Sequence, residues 1–249
     1  GGIVRSTDGT NFATVTSPTT QNLFGLTYGG GQFVAVGAGG IVLTSPDGST
    51  WTSQGSVTGV PSFLGVTYGN GVYLAVGTGG STVARSTDGI NWTWKLAQNG
   101  PSFLSAATFS GGTFTVVGDA GAIFTTTDGI TFTARTSNTT QALNGVNAIG
   151  NVLVGTGLGG TVLRSTDGGV TWAVVATNPN AFYESVAVYQ NQFYLLGDSG
   201  LVQRSSDGLN YTTLTTGVTG ILFSGASGGN GSLYVVGFNG IILKYPGST

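Results

Sequence analysis

The stretch 162-VLRSTDGGVTW-172 reads as a strand, a very tight turn and the start of a second strand, and nearly the same phrase occurs five more times. The other copies are IVRSTDGTNF, VLTSPDGSTW, VARSTDGINW, IFTTTDGITF and VQRSSDGLNY. Their aspartates, Asp8, Asp47, Asp88, Asp128, Asp167 and Asp207, are spaced by 39, 41, 40, 39 and 40 residues. A fixed period near forty means stacked or radial units.

Within one period, 63-FLGVTYGNGVYLAVGTGGSTVARSTDGINWTWKL-96 holds four short β-rich runs divided by Gly-rich turns: FLGVTY, VYLAVG, STVARS and NWTWKL. These are strands A, B, C and D, and four antiparallel strands per period of forty make a propeller blade. No segment has helical periodicity, which excludes helical solenoids. The A–B turns (YGGGQF, YGNGVY, FSGGTF) use glycine for the positive φ of a hairpin. At the C–D turn a Ser or Thr hydroxyl and the Asp carboxylate are placed to bind the backbone of a tight loop closed by Gly. The aromatic that follows, Phe12, Trp51, Trp92, Phe132, Trp172 or Tyr211, covers the hairpin. The expected fold is therefore all-β, a six-bladed propeller over residues 1–249 as a single domain. It has six A, six B, six D and seven C segments, the seventh lying in 240-GIILKYPGST-249. Closing a ring between the terminal strands leaves two C segments competing for one slot, with the local hairpin favouring residues 3 to 5.

The phrase resembles the Asp-box, or BNR, repeat, S-x-D-x-G-x-T-W, of sialidases and other secreted propellers. STDGGVTW at 165–172 fits the pattern fully, while the other five copies omit one residue between Asp and Gly. The rhythm GNGxFVAVGxGGxIxxSxDGxxW is similar to that of uncharacterised repeat propellers of bacterial extracellular proteins. The resemblance implies that the Asp box is structural and remote from the ligand face.

Charged residues are only 6 % of the chain, seven Lys plus Arg against nine Asp plus Glu, so there is no electrostatic footprint for nucleic acid or an anionic membrane. No apolar run is long enough to span a bilayer, so membrane insertion is not expected. A neutral, hydroxyl-rich surface with 46 glycines suits a secreted or cell-surface protein. Cys, His and Met are all absent. That removes thiolate chemistry, the commonest general base and the commonest metal ligands, and the missing initiator Met points to a processed piece or an excised domain. Calcium would need oxygen ligands in a D-x-D-x-D-G loop, and none occurs, so neither metal nor cofactor is expected. The sequons at Asn91, Asn138, Asn210 and Asn230 bear glycans only in a eukaryotic source.

Six of the nine acids are box aspartates, leaving Asp119, Asp198 and Glu184. Asp119 and Asp198 fall in B–C turns and Glu184 at the start of an A strand, so all three belong to one side of the disk, opposite the boxes. Glycoside hydrolysis would require two carboxyl groups about 5 to 10 Å apart, which Glu184 and Asp198 of one blade make conceivable, but both turns, GDAG and GDSG, are ordinary turn sequences. Arg5, Arg85, Arg164 and Arg204 repeat at one C-strand position and Arg135 lies in a D strand, so the arginines do not converge as a sialidase requires. The expected role is a noncatalytic binding or display module for a neutral glycan or a protein surface. Its variable D–A connections make the contacts, with Asn178, Asn180, Tyr183, Glu184, Asp198 and Asp119 as ligand residues. The alternatives are a secreted glycan-active enzyme and a structural subunit that assembles through an unpaired terminal strand.

Overall fold

A computed structural model describes residues 1–97, 101–175, 180–228 and 231–245. The fold is a six-bladed all-β propeller of antiparallel blades. A short hairpin, β1 (Ile3–Arg5) and β2 (Ala13–Val15), precedes the first complete blade, β3 (Leu23–Gly29), β4 (Gln32–Gly37), β5 (Ile41–Ser45) and β6 (Thr52–Ser56). The second comprises β7 (Phe63–Gly69), β8 (Val72–Gly77), β9 (Thr82–Ser86) and β10 (Thr93–Leu96), and the third β11 (Leu104–Ser110), β12 (Thr113–Gly118), β13 (Ile123–Thr126) and β14 (Thr133–Arg135). Then come β15 (Leu143–Ile149), β16 (Val152–Gly157), β17 (Val162–Ser165) and β18 (Ala173–Val175), followed by β19 (Tyr183–Tyr189), β20 (Gln192–Gly197), β21 (Val202–Ser205) and β22 (Thr212–Leu214). The last sheet has three strands, β23 (Leu222–Ser227), β24 (Leu233–Gly237) and β25 (Ile242–Tyr245). The chain divides into two compact units, residues 1–119 with 124–134, and residues 120–123 with 135–249.

All seven C segments form strands. β25 takes the C position beside β24, with Leu233 opposite Tyr245, while β1 stays with β2, Ile3 opposite Val15. The expectation that residues 3 to 5 hold the contested slot is thereby corrected: each C segment pairs with the strand next to it in the chain, which costs the least loop entropy.

The repeated phrase is a turn saturated by two side chains. In the second blade Ser86 Oγ donates to Asp88 Oδ1 at 2.9 Å and accepts the Gly89 N–H at 2.9 Å. Asp88 Oδ1 then accepts the N–H groups of Ile90 and Asn91 at 2.9 and 2.8 Å. The same bonds recur at Asp8, Asp47, Asp128 and Asp207. The full-length box absorbs its extra residue by moving each partner one place on: Ser165 Oγ accepts from Gly169, and Asp167 Oδ1 from Val170 and Thr171. Gly48, Gly89 and Gly208 have φ near +70°, which only glycine adopts without strain. The three box tryptophans close the loop by donating Nε1–H to a box glycine carbonyl, Trp51 to Gly48, Trp92 to Gly89 and Trp172 to Gly169, at 3.0–3.1 Å.

Blades within a unit are tied through these boxes. Arg85 Nε donates to the Asp128 carbonyl at 2.9 Å, and Arg164 Nε to the Asp207 carbonyl at 2.8 Å. Arg85 and Arg164, at the same C-strand position, each clamp the box of the next blade. Apolar packing follows the same geometry: Val34 and Val36 of β4 pack with Phe63, Val66 and Tyr73 of the following blade. The A-strand amides contribute as well, Asn144 and Asn147 donating to the Tyr183 and Val186 carbonyls of the next blade at 3.0 and 3.1 Å.

Trp172→Ala is expected to destabilise the fold by about 3–5 kcal/mol, read from urea midpoints, because the indole is buried. Tyr211→Phe is expected to be neutral or stabilising, since the buried Tyr211 hydroxyl has no hydrogen-bond partner, and Phe12 and Phe132 already hold that place in two other copies. The box carboxyls titrate below the ordinary range, Asp128 at about 2, chiefly through the Thr131 and Ile130 N–H bonds. A lowered folded-state value stabilises the fold above the unfolded value of about 4 and is lost as pH falls through the folded one. Urea midpoints should therefore hold from neutral pH down to about 4 and drop below it, less steeply when Asp128 is changed to Asn.

Candidate functional site

Each B–C turn is bonded to the connection that enters its own A strand. The N–H groups of Ala38, Thr78, Asp119, Leu158, Asp198 and Phe238 donate to the carbonyls of Asn22, Ser62, Phe103, Ala142, Phe182 and Ile221 at 2.8–3.1 Å. Opposite them, the boxes join the A–B turns: Gln32 Nε2 donates to the Asp88 carbonyl at 2.7 Å and the Gly168 N–H to Asn151 at 3.1 Å. Blade by blade, the three carboxylates outside the boxes therefore belong to the side away from the boxes. Asp119 lies in the first unit, opening the turn Asp119–Gly121, and Asn180, Glu184 and Asp198 lie in the second. Asn178 lies outside the described residues.

Glu184 and Asp198 are brought together. Asp198 opens the tight turn Asp198–Gly200, in which Ser199 takes φ of 56°. Glu184 is half-buried, and burial first, then the Asp198 charge, pushes its carboxyl above the ordinary value. Asn180 is exposed just ahead of them.

Tyr183 requires a correction. It is 0 % exposed, and its hydroxyl donates to Gln203 Oε1 at 2.6 Å, so it cannot stack on a ligand. Register gives the reason: Tyr183 pairs with Gly197 as Phe63 pairs with Gly77 and Leu104 with Gly118. The slot is an inward core position, and Leu104 holds it in the third blade. Strand alternation turns the preceding residue outward, and Phe182 is 45 % exposed, with its carbonyl bonded to Asp198. The aromatic beside the acid pair is therefore Phe182, which the inward assignment of Tyr183 would have identified. Phe223, at the place of Glu184 in the next A strand, and Phe238, at the place of Asp198 in the next turn, are also exposed. The Asp198 turn touches that strand's approach through Gly200 N–H to the Gly220 carbonyl, 2.8 Å.

A concavity of ≈ 680 Å³ lies in the same unit, formed by Ala120, Gly121 and the loop 135–141. Two of its polar groups are already engaged, Ser137 Oγ with the Thr139 carbonyl and Asn138 Nδ2 with the Trp172 carbonyl. Among the described residues no group of three or more His, Cys, Asp or Glu comes together that could hold a metal ion. No helix among them is long and apolar enough to cross a membrane.

No protein-family model matches the chain, and no curated protein matches it by sequence. Solved structures do match by fold. YCF48 from Cyanidioschyzon merolae is 18 % identical with a TM-score of 0.69, covering 92 % of this chain and 84 % of its own. YCF48 bound to D1 peptide is 15 % identical with a TM-score of 0.71, covering 94 % and 80 %. A catalytically inactive virginiamycin B lyase from Staphylococcus aureus, crystallised with quinupristin, is 12 % identical with a TM-score of 0.76, covering 93 % and 86 %. At these identities the likeness is one of fold.

Glu184 provides a direct check. A carboxyl raised in the folded state weakens the fold as pH rises through its unfolded value. Glu184→Gln should therefore raise the urea midpoint at pH 7, and the gain should shrink as pH falls and vanish below the unfolded carboxyl value of about 4.

Proposed function

We propose that this chain is a noncatalytic binding and display module, a secreted or surface-displayed Asp-box propeller. It would recognise a neutral glycan or a protein segment on the side of its B–C turns. The observation that carries the reading is the division of the carboxylates. The box aspartates are each occupied by backbone N–H donors, which leaves Glu184 and Asp198 as a coupled pair beside the exposed Phe182. An exposed aromatic next to hydrogen-bonding groups suits both a sugar face and an apolar peptide side chain. Support for a protein segment comes from the YCF48 structure of the same fold, which holds a peptide. Asn180 extends this surface within the second unit, and Asp119 adds a carboxylate on the side away from the box of its own blade in the first.

Phe182→Ala and Asp198→Asn, screened against glycan arrays and peptide libraries beside the parent, should each weaken binding at least tenfold while leaving thermal unfolding close to the parent's. Unchanged affinity in both variants would remove recognition from this side. The raised Glu184 carboxyl beside Asp198 is also the arrangement a glycoside hydrolase uses for its acid. Parent turnover of a glycoside panel, abolished by Glu184→Gln, would replace the binding reading with an enzymatic one.

A further inference from the structure

The second complete blade departs from the repeat at one outer-strand position. By register Trp94 of β10 stands opposite Ala84, the place that Ser53, Val174 and Thr213 hold in β6, β18 and β22 opposite Leu43, Leu163 and Gln203. Of the four tryptophans it is the exposed one, at 41 %. An indole is not needed there to build a blade, since Ser, Val or Thr serves elsewhere. It is nevertheless firmly seated. Its Nε1–H donates to the carbonyl of Thr58, in the connection that leaves the first complete blade, at 2.8 Å. Gly59, at φ of 88°, makes room for the ring, because a Cβ on it would lie 2.8 Å from Trp94 Cζ2.

The neighbouring strand leaves a groove beside this ring. β6 bulges at Gln54, between the pairs Leu43–Ser53 and Val42–Gly55, and a bulge re-aims the side chain it carries. In the second blade Lys95 follows Trp94 and reaches across to the third, donating to the Ile130 carbonyl and lying over the Phe132 ring. Gln54 turns back instead, donating Nε2–H to Thr44 Oγ1 of its own sheet at 2.8 Å. Gly55 comes next at φ of 84°, with open space where a Cβ would stand. Between β6 and β10, wholly within the first unit, this leaves a groove of ≈ 540 Å³ lined by Trp94, Trp92 and polar side chains that include Gln54, Ser56 and Thr93. None of the described residues lining it is charged. The groove beside Trp172 differs on both counts, since Arg164 lines it and Val174 stands in the place of Trp94.

We propose that the groove between β6 and β10 is a carbohydrate subsite in which one pyranose ring of a neutral glycan stacks on Trp94. It is a site of its own, independent of the surface at Phe182. A pyranose offers an apolar C–H face surrounded by hydroxyls that need neutral donors and acceptors. The fixed indole supplies the flat apolar partner, and Gln54, Ser56 and Thr93 supply the polar surround. The volume is that of a small-molecule site. A carboxylated or sulfated sugar would find no cation there to pair with. A proline-rich peptide docks in grooves lined by aromatic rings, whereas this groove has one exposed ring among hydroxyls and amides.

Intrinsic fluorescence reads the site in the full chain, because Trp51 and Trp92 are half-buried and Trp172 is buried, so quenching by acrylamide should come chiefly from Trp94. Titration with neutral hexasaccharides of glucose, mannose, galactose and N-acetylglucosamine should give, for at least one of them, saturable protection from the quencher. Trp94→Thr installs the residue that β22 carries at this register. It should unfold thermally as the parent does and weaken that saccharide's binding, measured by calorimetry, at least about tenfold. Trp94→Phe keeps a stacking face and should lose less. Saccharide binding unchanged in Trp94→Thr would overturn the assignment, as would failure of all four saccharides to bind the parent chain. A proline-rich decapeptide that binds where no saccharide does, and is lost in Trp94→Thr, would also overturn it and give the groove to a peptide.

Discussion

The blades depend on one recurring bond set, the carboxylate of a box aspartate accepting two consecutive backbone N–H groups while the serine or threonine two residues earlier binds both the carboxylate and the closing glycine. A tight turn between two strands leaves N–H groups with no ladder partner, and leaving them unpaired would be costly. Supplying the acceptors from within the turn lets the C–D hairpin form locally. The box then serves a second purpose, because the aspartate's own carbonyl points to the preceding blade and receives Arg85 or Arg164. Turn closure and blade spacing are thus held by the same residue.

The functional division follows. Of the nine acidic residues six are held in box turns, and blade by blade the other three lie away from the boxes. Glu184 is held half-buried next to Asp198 because its A strand and its B–C turn are bonded through Phe182. The surface there combines two carboxyl groups with an outward aromatic, and the next blade adds the outward aromatics Phe223 and Phe238.

Much of this was legible in the sequence, and the reasons differ by residue. The period of Asp8 through Asp207 and the Gly-rich turns gave blade number, strand order and side assignment, because turn chemistry is local. The repeat of Arg5, Arg85, Arg164 and Arg204 was visible, but its clamp on the next blade was not, since that contact spans about one repeat. Tyr183 was misplaced because a seven-residue strand with a register shift between Tyr183 and Ser185 defeats simple alternation counting. The fate of the two competing C segments rested on loop entropy, which the repeat pattern does not encode.

The account's central claim is that the exposed box turns are as firmly held as the core they close. Native-state hydrogen exchange of the Gly89, Ile90 and Asn91 amides, compared with the Val76 amide in the buried strand β8, tests it most directly. Protection of the three turn amides at the level of the strand, lost together when Asp88 is changed to Ala, is the result the account predicts. Exchange of those amides at the rate of an open surface loop in the unaltered protein would contradict it.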